Sequence, residues 1–168
     1  VLPGSREKEI TRHLPPIAAA IDLLKDKNEL NVSMVLPNEN LAELATSVSP
    51  NIASWNLEIG NIAAALKKAD VAIASSGTVT MECAWFRVPT VVLYRTSWPT
   101  YALGRLFINI PHIAMPNVLA GGEIFPEFIQ GGATGKNLAR AVERFLFGKG
   151  AREKIRAQLD EVAGTLGE

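Results

Sequence analysis

The chain has 168 residues, with 17 Lys plus Arg against 17 Asp plus Glu and a hydrophobic fraction of 48%. A formal net charge of zero leaves no electrostatic footprint for nucleic acid, and this apolar content belongs to a folded domain and not to a disordered chain. The single cysteine, Cys83, rules out an internal disulfide and fits a reducing compartment, and no apolar run reaches the roughly 18 residues that span a bilayer.

In chain order, Val1-Leu2 reads as the end of a strand that runs straight into a glycine turn, so residues upstream are expected to be missing. A helical stretch follows from Glu7 to about Lys25, with Ile10, Leu14, Ile17, Ala18, Ile21 and Leu24 at helical spacing. Pro15-Pro16 is expected to divide it, because proline cannot donate to the preceding turn. Val32–Leu36 reads as a strand, Asn38–Val48 as a helix, Ile52–Leu57 as a strand and Ile59–Ala69 as a helix. Val71–Ala74 is a buried strand, Gly77–Phe86 a helix and Thr90–Tyr94 a strand. After a Gly-rich loop at Gly131–Gly135, Thr134 is placed to cap a helix running to Phe147, and a charged helix spans about Ala151 to Leu166. Strands alternating with helices imply an α/β fold, a Rossmann-like parallel sheet with helices on both faces. The short, uniformly apolar strands imply burial on both sheet faces.

Two turns at strand ends have chemistry suited to an anion. In Pro3-Gly4-Ser5-Arg6, Gly4 permits close backbone approach, Ser5 offers a hydroxyl and Arg6 a guanidinium fork, ahead of a helix N-terminus. The same residues also fit a plain turn in which Ser5 caps the helix and Arg6 points to solvent. In Ser75-Ser76-Gly77-Thr78-Val79-Thr80-Met81-Glu82, hydroxyls again sit where a helix opens, and Glu82 shares a helix face with Thr78. A carboxylate there can accept both hydrogen bonds of a ribose diol. A simple capping arrangement, with Glu82 paired to a neighbour, remains the other reading. Neither turn carries the Gly-Lys-[Ser/Thr] of a P-loop or a dinucleotide-binding G-x-G-x-x-G, which disfavours ATP hydrolysis and NAD chemistry.

Four segments together carry a family resemblance: Leu2-Pro3-Gly4-Ser5-Arg6 with Glu9; Ala74 through Cys83; Pro89 through Arg95; and Pro116-Asn117-Val118-Leu119-Ala120-Gly121-Gly122-Glu123. In order and spacing they resemble the C-terminal domain of lipid-A-disaccharide synthases, and the resemblance covers nearly the whole chain. It implies the C-terminal half of a glycosyltransferase B-type fold, with residues 1–168 as one UDP-binding domain and the N-terminal acceptor domain missing. The implied reaction moves 2,3-diacylglucosamine from its UDP donor to 2,3-diacylglucosamine 1-phosphate in lipid A biosynthesis, by an inverting route. Carried over by matching motif, Ser5 and Arg6 approach the diphosphate. Ser76, Gly77, Thr78 and Thr80 cradle phosphate, Glu82 holds ribose, and Tyr94, Arg95 and Asn117 line the same cleft. Glu123 keeps an acidic family position, whereas Gly122 stands where family members often have Arg, so that Arg95 or Arg105 would have to substitute.

No convincing general base is present. His13 and His112 read as structural or exposed, Cys83 as a small core residue, and the base is expected in the missing domain, leaving the isolated fragment inactive. No metal site and no cofactor is expected, UDP-sugar being the substrate; helix N-termini and Arg6 would offset the charge of the leaving diphosphate. The resemblance implies a cytoplasmic enzyme, peripheral at the inner membrane, with a homodimer left open. Trp98, Tyr101, Leu103, Leu106, Phe107 and Ile108, interleaved with Arg95 and Arg105, suit an interfacial helix, although packing in the core or against the missing domain is the favoured reading. The alternatives are a UDP-sugar epimerase and a non-catalytic nucleotide-binding module.

Overall fold

The computed structural model describes residues 1–101 and 112–166. In chain order it contains α1 (Glu7–Lys25), β1 (Ser33–Leu36), α2 (Glu39–Val48), a 3-10 turn at Pro50–Ser54, β2 (Asn56–Ile59) and α3 (Ile62–Lys68). There follow β3 (Ala72–Ser75), α4 (Val79–Trp85), β4 (Thr90–Tyr94), α5 (Met115–Ala120), β5 (Glu127–Ile129), α6 (Gly135–Phe147) and α7 (Ala151–Leu166).

All pairings are parallel: β1 with β2, β3 with β4 and β4 with β5. Val1-Leu2 joins the two groups. Leu2 N–H donates to Ile73 O and Ser75 N–H to Leu2 O, both at 2.8 Å, while Val35 N–H donates to Val1 O at 3.0 Å. Counting that segment as the first strand, the spatial order becomes 3-2-1-4-5-6, the arrangement of doubly wound nucleotide-binding folds. Strand order reverses between Leu2 and β3, and a crevice opens there beyond the carboxyl ends of the strands.

β3 is buried along its whole length and β4 up to Leu93, as expected for strands covered on both faces. α1 packs against α2 and α6, whereas α4 packs against α5 and α7. α6 begins as anticipated, with Thr134 Oγ1 accepting from Asn137 N–H at 3.2 Å.

Several expectations require correction. Pro15 and Pro16 lie inside one unbroken α1. Helix-interior proline costs about 3 kcal/mol or more, but Ile10, Leu14, Ile17, Ala20 and Leu24 are buried along the same helix, and their contacts hold the helix together across the interruption. The strand sought at Ile52–Leu57 starts later, at Asn56, because Pro50 opens a 3-10 turn that buries Ile52. Ile59 ends β2 and does not start a helix. The left-handed pair Gly60 (φ +66°) and Asn61 (φ +54°) reverses the chain, and Asn61 then caps α3.

Two contacts fix α1 relative to its surroundings. Gly135 meets it so closely that a Cβ there would stand 2.8 Å from Ala19 Cβ. His13, fully buried, has Nδ1 2.8 Å from Pro3 O, while its Nε2 accepts from the Arg95 N–H at 3.0 Å. Burial is the largest cause holding the His13 pKa below 6.5.

Gly135→Ala should lower the unfolding free energy by about 1–3 kcal/mol, the overpacking cost, even though Ala is the better helix former; chemical denaturation measures it. Acid should destabilise through His13. The unfolded chain takes up its proton near 6.5 and the folded chain only at lower pH, so stability is complete above 6.5 and falls below it. The slope from one such group is at most about 1.4 kcal/mol per pH unit. Comparing denaturation of wild type and His13→Gln between pH 7 and pH 5.5 isolates the histidine: the variant should show the shallower loss.

Candidate functional site

The crevice at the switch point is a cleft of about 440 Å³. It brings together the two glycine turns that stand far apart in sequence: Gly4, Ser5 and Arg6 on one wall, Ser76, Gly77, Thr78 and Glu82 on the other. β1 and β2 supply a third wall, Val35, Leu36, Pro37 and Gly60 with Ile62. That wall was not foreseen. Its only sequence signal is Pro37 directly after an apolar strand and Gly60-Asn61 directly after another.

The first turn is built by Glu9. Gly4 sits at φ +130°, and a Cβ there would fall 2.5 Å from Glu9 Oε2. That oxygen accepts from the Ser5 N–H at 2.8 Å, and Oε1 accepts from Arg6 Nη1 at 3.2 Å. Arg6, and not Ser5, is the N-cap of α1, and its side chain makes no capping bond. The N–H groups of Glu7 and Lys8 have no acceptor among the described residues and are left for an external one, whereas the Glu9 N–H already donates to Arg6 O at 2.9 Å. Among the described residues the Arg6 guanidinium pairs with Glu9 alone, and the side chain is 80% exposed at the rim.

In the second turn Gly77 takes φ +151°, a conformation that L side chains rarely adopt. The hydroxyls divide into two kinds. Thr80 is fully buried and donates to Gly77 O at 2.7 Å, closing the turn from within. Ser76 Oγ donates to Ile113 O at 2.9 Å. Ser5 and Thr78 are exposed, and their hydroxyls make no hydrogen bond among the described residues. Glu82 is exposed on the cleft, one turn into α4, and enters no ion pair among the described residues.

The other expected site residues lie elsewhere. Tyr94 and Arg95 leave the end of β4 behind the first turn, half-buried, with the Tyr94 ring 6.1 Å from that of His13. Asn117 is wholly buried and spends both ends of its amide internally. Its Oδ1 accepts from Ile124 and Phe125 N–H, and its Nδ2 donates to Phe125 O and Glu127 Oε1. It organises the chain around α5 and does not line the cleft. Glu123 lines a separate groove of about 330 Å³ with Arg140, Arg144 and Lys154. Arg105, named as a stand-in for the arginine absent at Gly122, lies outside the described residues, as do Leu103, Leu106, Phe107 and Ile108. Trp98 is 70% exposed and so does not pack in the core of this chain.

Cys83 is buried, and burial pushes its thiol up to about 11, as an inert core residue requires. His112 stands 3.9 Å from Glu127, away from the cleft residues. No group of three or more His, Cys, Asp or Glu is arranged to hold a metal among the described residues, and none of the helices there is long and apolar enough to cross a membrane. A larger cavity, about 1010 Å³, opens at the amino ends of the strands between Leu30, Val71 and Leu146. It lacks a glycine turn at a helix start and lies at the end where such sheets do not bind ligands.

Comparison with known proteins agrees with the geometry. The family model for lipid-A-disaccharide synthetase matches residues 1–164. The lipid-A-disaccharide synthase of Anaeromyxobacter dehalogenans (strain 2CP-1 / ATCC BAA-258) is 36% identical over 100% of this chain and 45% of its own length. That of Solibacter usitatus is 34% identical, over 99% of this chain and 43% of its own. The chain thus spans a little under half the length of the curated relatives it matches. Among solved structures, one from Listeria monocytogenes, assigned as a UDP-N-acetylglucosamine 2-epimerase, superposes with a TM-score of 0.55. The match covers 90% of this chain and 37% of that one at 18% identity, and it shows the shared glycosyltransferase B-type fold alone. With two of its four motifs facing each other at a nucleotide-fold switch point, the chain belongs to the lipid-A-disaccharide synthase family of glycosyltransferases.

Proposed function

We propose that the chain is the donor-binding half of a lipid-A-disaccharide synthase, holding UDP-2,3-diacylglucosamine while a separate domain presents 2,3-diacylglucosamine 1-phosphate. The observation that carries this reading is the single cleft in which the Gly4–Arg6 and Ser76–Glu82 turns face each other at the switch point. The diphosphate fits the start of α1, where unpaired N–H groups and Arg6 supply positive potential that grows in value as charge collects on departing UDP. Ser5 and Thr78 supply the hydroxyls. Glu82 accepts from the ribose diol, and the apolar wall of Leu36, Pro37 and Ile62 takes the flat face of the base. Tyr94 and Arg95 act from behind the first turn, and Asn117 acts through the loop it holds.

In this reading the transfer inverts the anomeric centre and needs no metal. The base that deprotonates the acceptor hydroxyl lies in the acceptor domain, so the chain alone binds donor without transferring sugar. Whole-protein attachment to the inner-membrane surface on the cytoplasmic side belongs to the same proposal, as does any homodimer. The epimerase reading has only the shared fold in its favour.

Titration of the chain with UDP, followed by amide chemical shifts, should move Gly4–Arg6 and Ser76–Glu82 selectively, with ADP and NAD as weak controls. Absence of UDP binding at millimolar concentration would remove the proposal that this half holds the donor unaided. Glu82→Ala should weaken UDP binding by about 1–3 kcal/mol, the cost of losing hydrogen bonds to a charged group. Calorimetry on the folded variant measures it, and an unchanged affinity would take Glu82 out of the site.

A further inference from the structure

His13 is the one ionisable side chain on the buried face of α1, whose other buried positions are Ile, Leu, Ala and Pro. A space-filling role would be met by leucine. Instead both ring nitrogens are used, each on the main chain of a different site segment: Pro3 O at 2.8 Å and Arg95 N–H at 3.0 Å. These partners dictate the protonation state. A backbone N–H can only donate, so Nε2 must hold a lone pair; a carbonyl can only accept, so Nδ1 must carry the proton. One neutral tautomer satisfies both, and a second proton would set Nε2–H against the Arg95 N–H.

Each segment is also held from its far side. Beyond Pro3, the Ser5 N–H and the Arg6 guanidinium are bound by Glu9. Beyond Arg95, Gln130 accepts from the Thr96 N–H at 2.8 Å and donates back to Thr96 O at 3.1 Å. Glu9 and Arg95 are the charged groups acting on the ring, with opposite signs, and Tyr94 packs against it. His13 is thus the shared member of two braces that otherwise have no common residue.

Resting on the donor-site reading above, we propose that His13 is a positioning residue. It is a neutral two-sided bridge that fixes the Gly4–Arg6 turn against the end of β4 at Arg95, so that the turn's amides and Arg6 meet the diphosphate in a set position.

The test compares wild type, His13→Leu and His13→Gln, with UDP and inorganic pyrophosphate as probes. Imidazole nitrogen NMR of the ligand-free wild type should show the neutral Nδ1–H form at neutral pH. His13→Leu should shift the Arg95 and Gly4–Arg6 amides together and weaken UDP and pyrophosphate binding about tenfold, as loss of a hydrogen bond near charge does. His13→Gln, whose carbonyl can replace Nε2 as acceptor, should return the Arg95 amide toward its wild-type position and recover most of the affinity. A folded His13→Leu that binds UDP as tightly as wild type overturns the proposal, and so does an Nε2–H tautomer. If the wild type binds neither probe, it is the donor-site reading that fails. The bridge is then judged on the ligand-free spectra, where Gly4–Arg6 amides that stay in place while Arg95 moves reject it. Should His13→Leu not fold, the tautomer and His13→Gln decide.

Discussion

The hydrogen bonding of Val1-Leu2 on both of its edges is the constraint from which the site follows. One edge takes the N–H of Val35, and the other exchanges bonds with Ile73 and Ser75. Without that pairing the β1–β2 pair and the β3–β4–β5 group share no strand pairing among the described residues. With it, the seam coincides with the reversal of strand order, and the turn leaving Leu2 is delivered to the lip of β3. Glu9 then converts position into shape: its two oxygens fix Ser5 and Arg6, and its bulk permits only glycine at position 4.

The hydroxyls around the cleft show how such a site divides labour. Of the hydroxyls of Ser5, Ser76, Thr78 and Thr80, two are consumed internally, Ser76 by Ile113 and Thr80 by Gly77. The consumed pair holds the Gly77 backbone in its left-handed conformation and against the rest of the chain. The other pair remains for a ligand. This is preorganisation in the ordinary sense: dipoles set before the ligand arrives do not have to be reoriented when charge develops.

Strands and helices with a clean pattern were legible from residues alone. β4 runs from Thr90 to Tyr94 as its apolar run requires, and Thr134 caps α6 as its place before a helical pattern requires. β5 was not legible, because Glu127-Phe128-Ile129 is three residues with a charge at the front. That charge is tolerated near the core because Glu127 accepts from the N–H groups of Ile113 and Ala114 and from Asn117, partners that no local pattern reveals. α5 was missed for a similar reason, being six residues with Pro116 in its first turn. At the site, residue type was readable but direction was not. Asn117 and Thr80 have the chemistry of ligand contacts and the burial of struts, and Glu123 stands on another groove. His13, set aside as structural, is structural in a way that touches two site segments.

The stretch between Arg95 and Ile113 has both feet clamped by the groups already described: His13 and Gln130 at departure, Glu127 and the Ser76 hydroxyl at return. The points at which the chain departs and returns are therefore set by groups of α1, of the β5 region and of the second turn. A substitution at Glu127, outside the cleft lining, would reach Ser76 through Ile113, whose N–H it holds and whose carbonyl the serine hydroxyl binds.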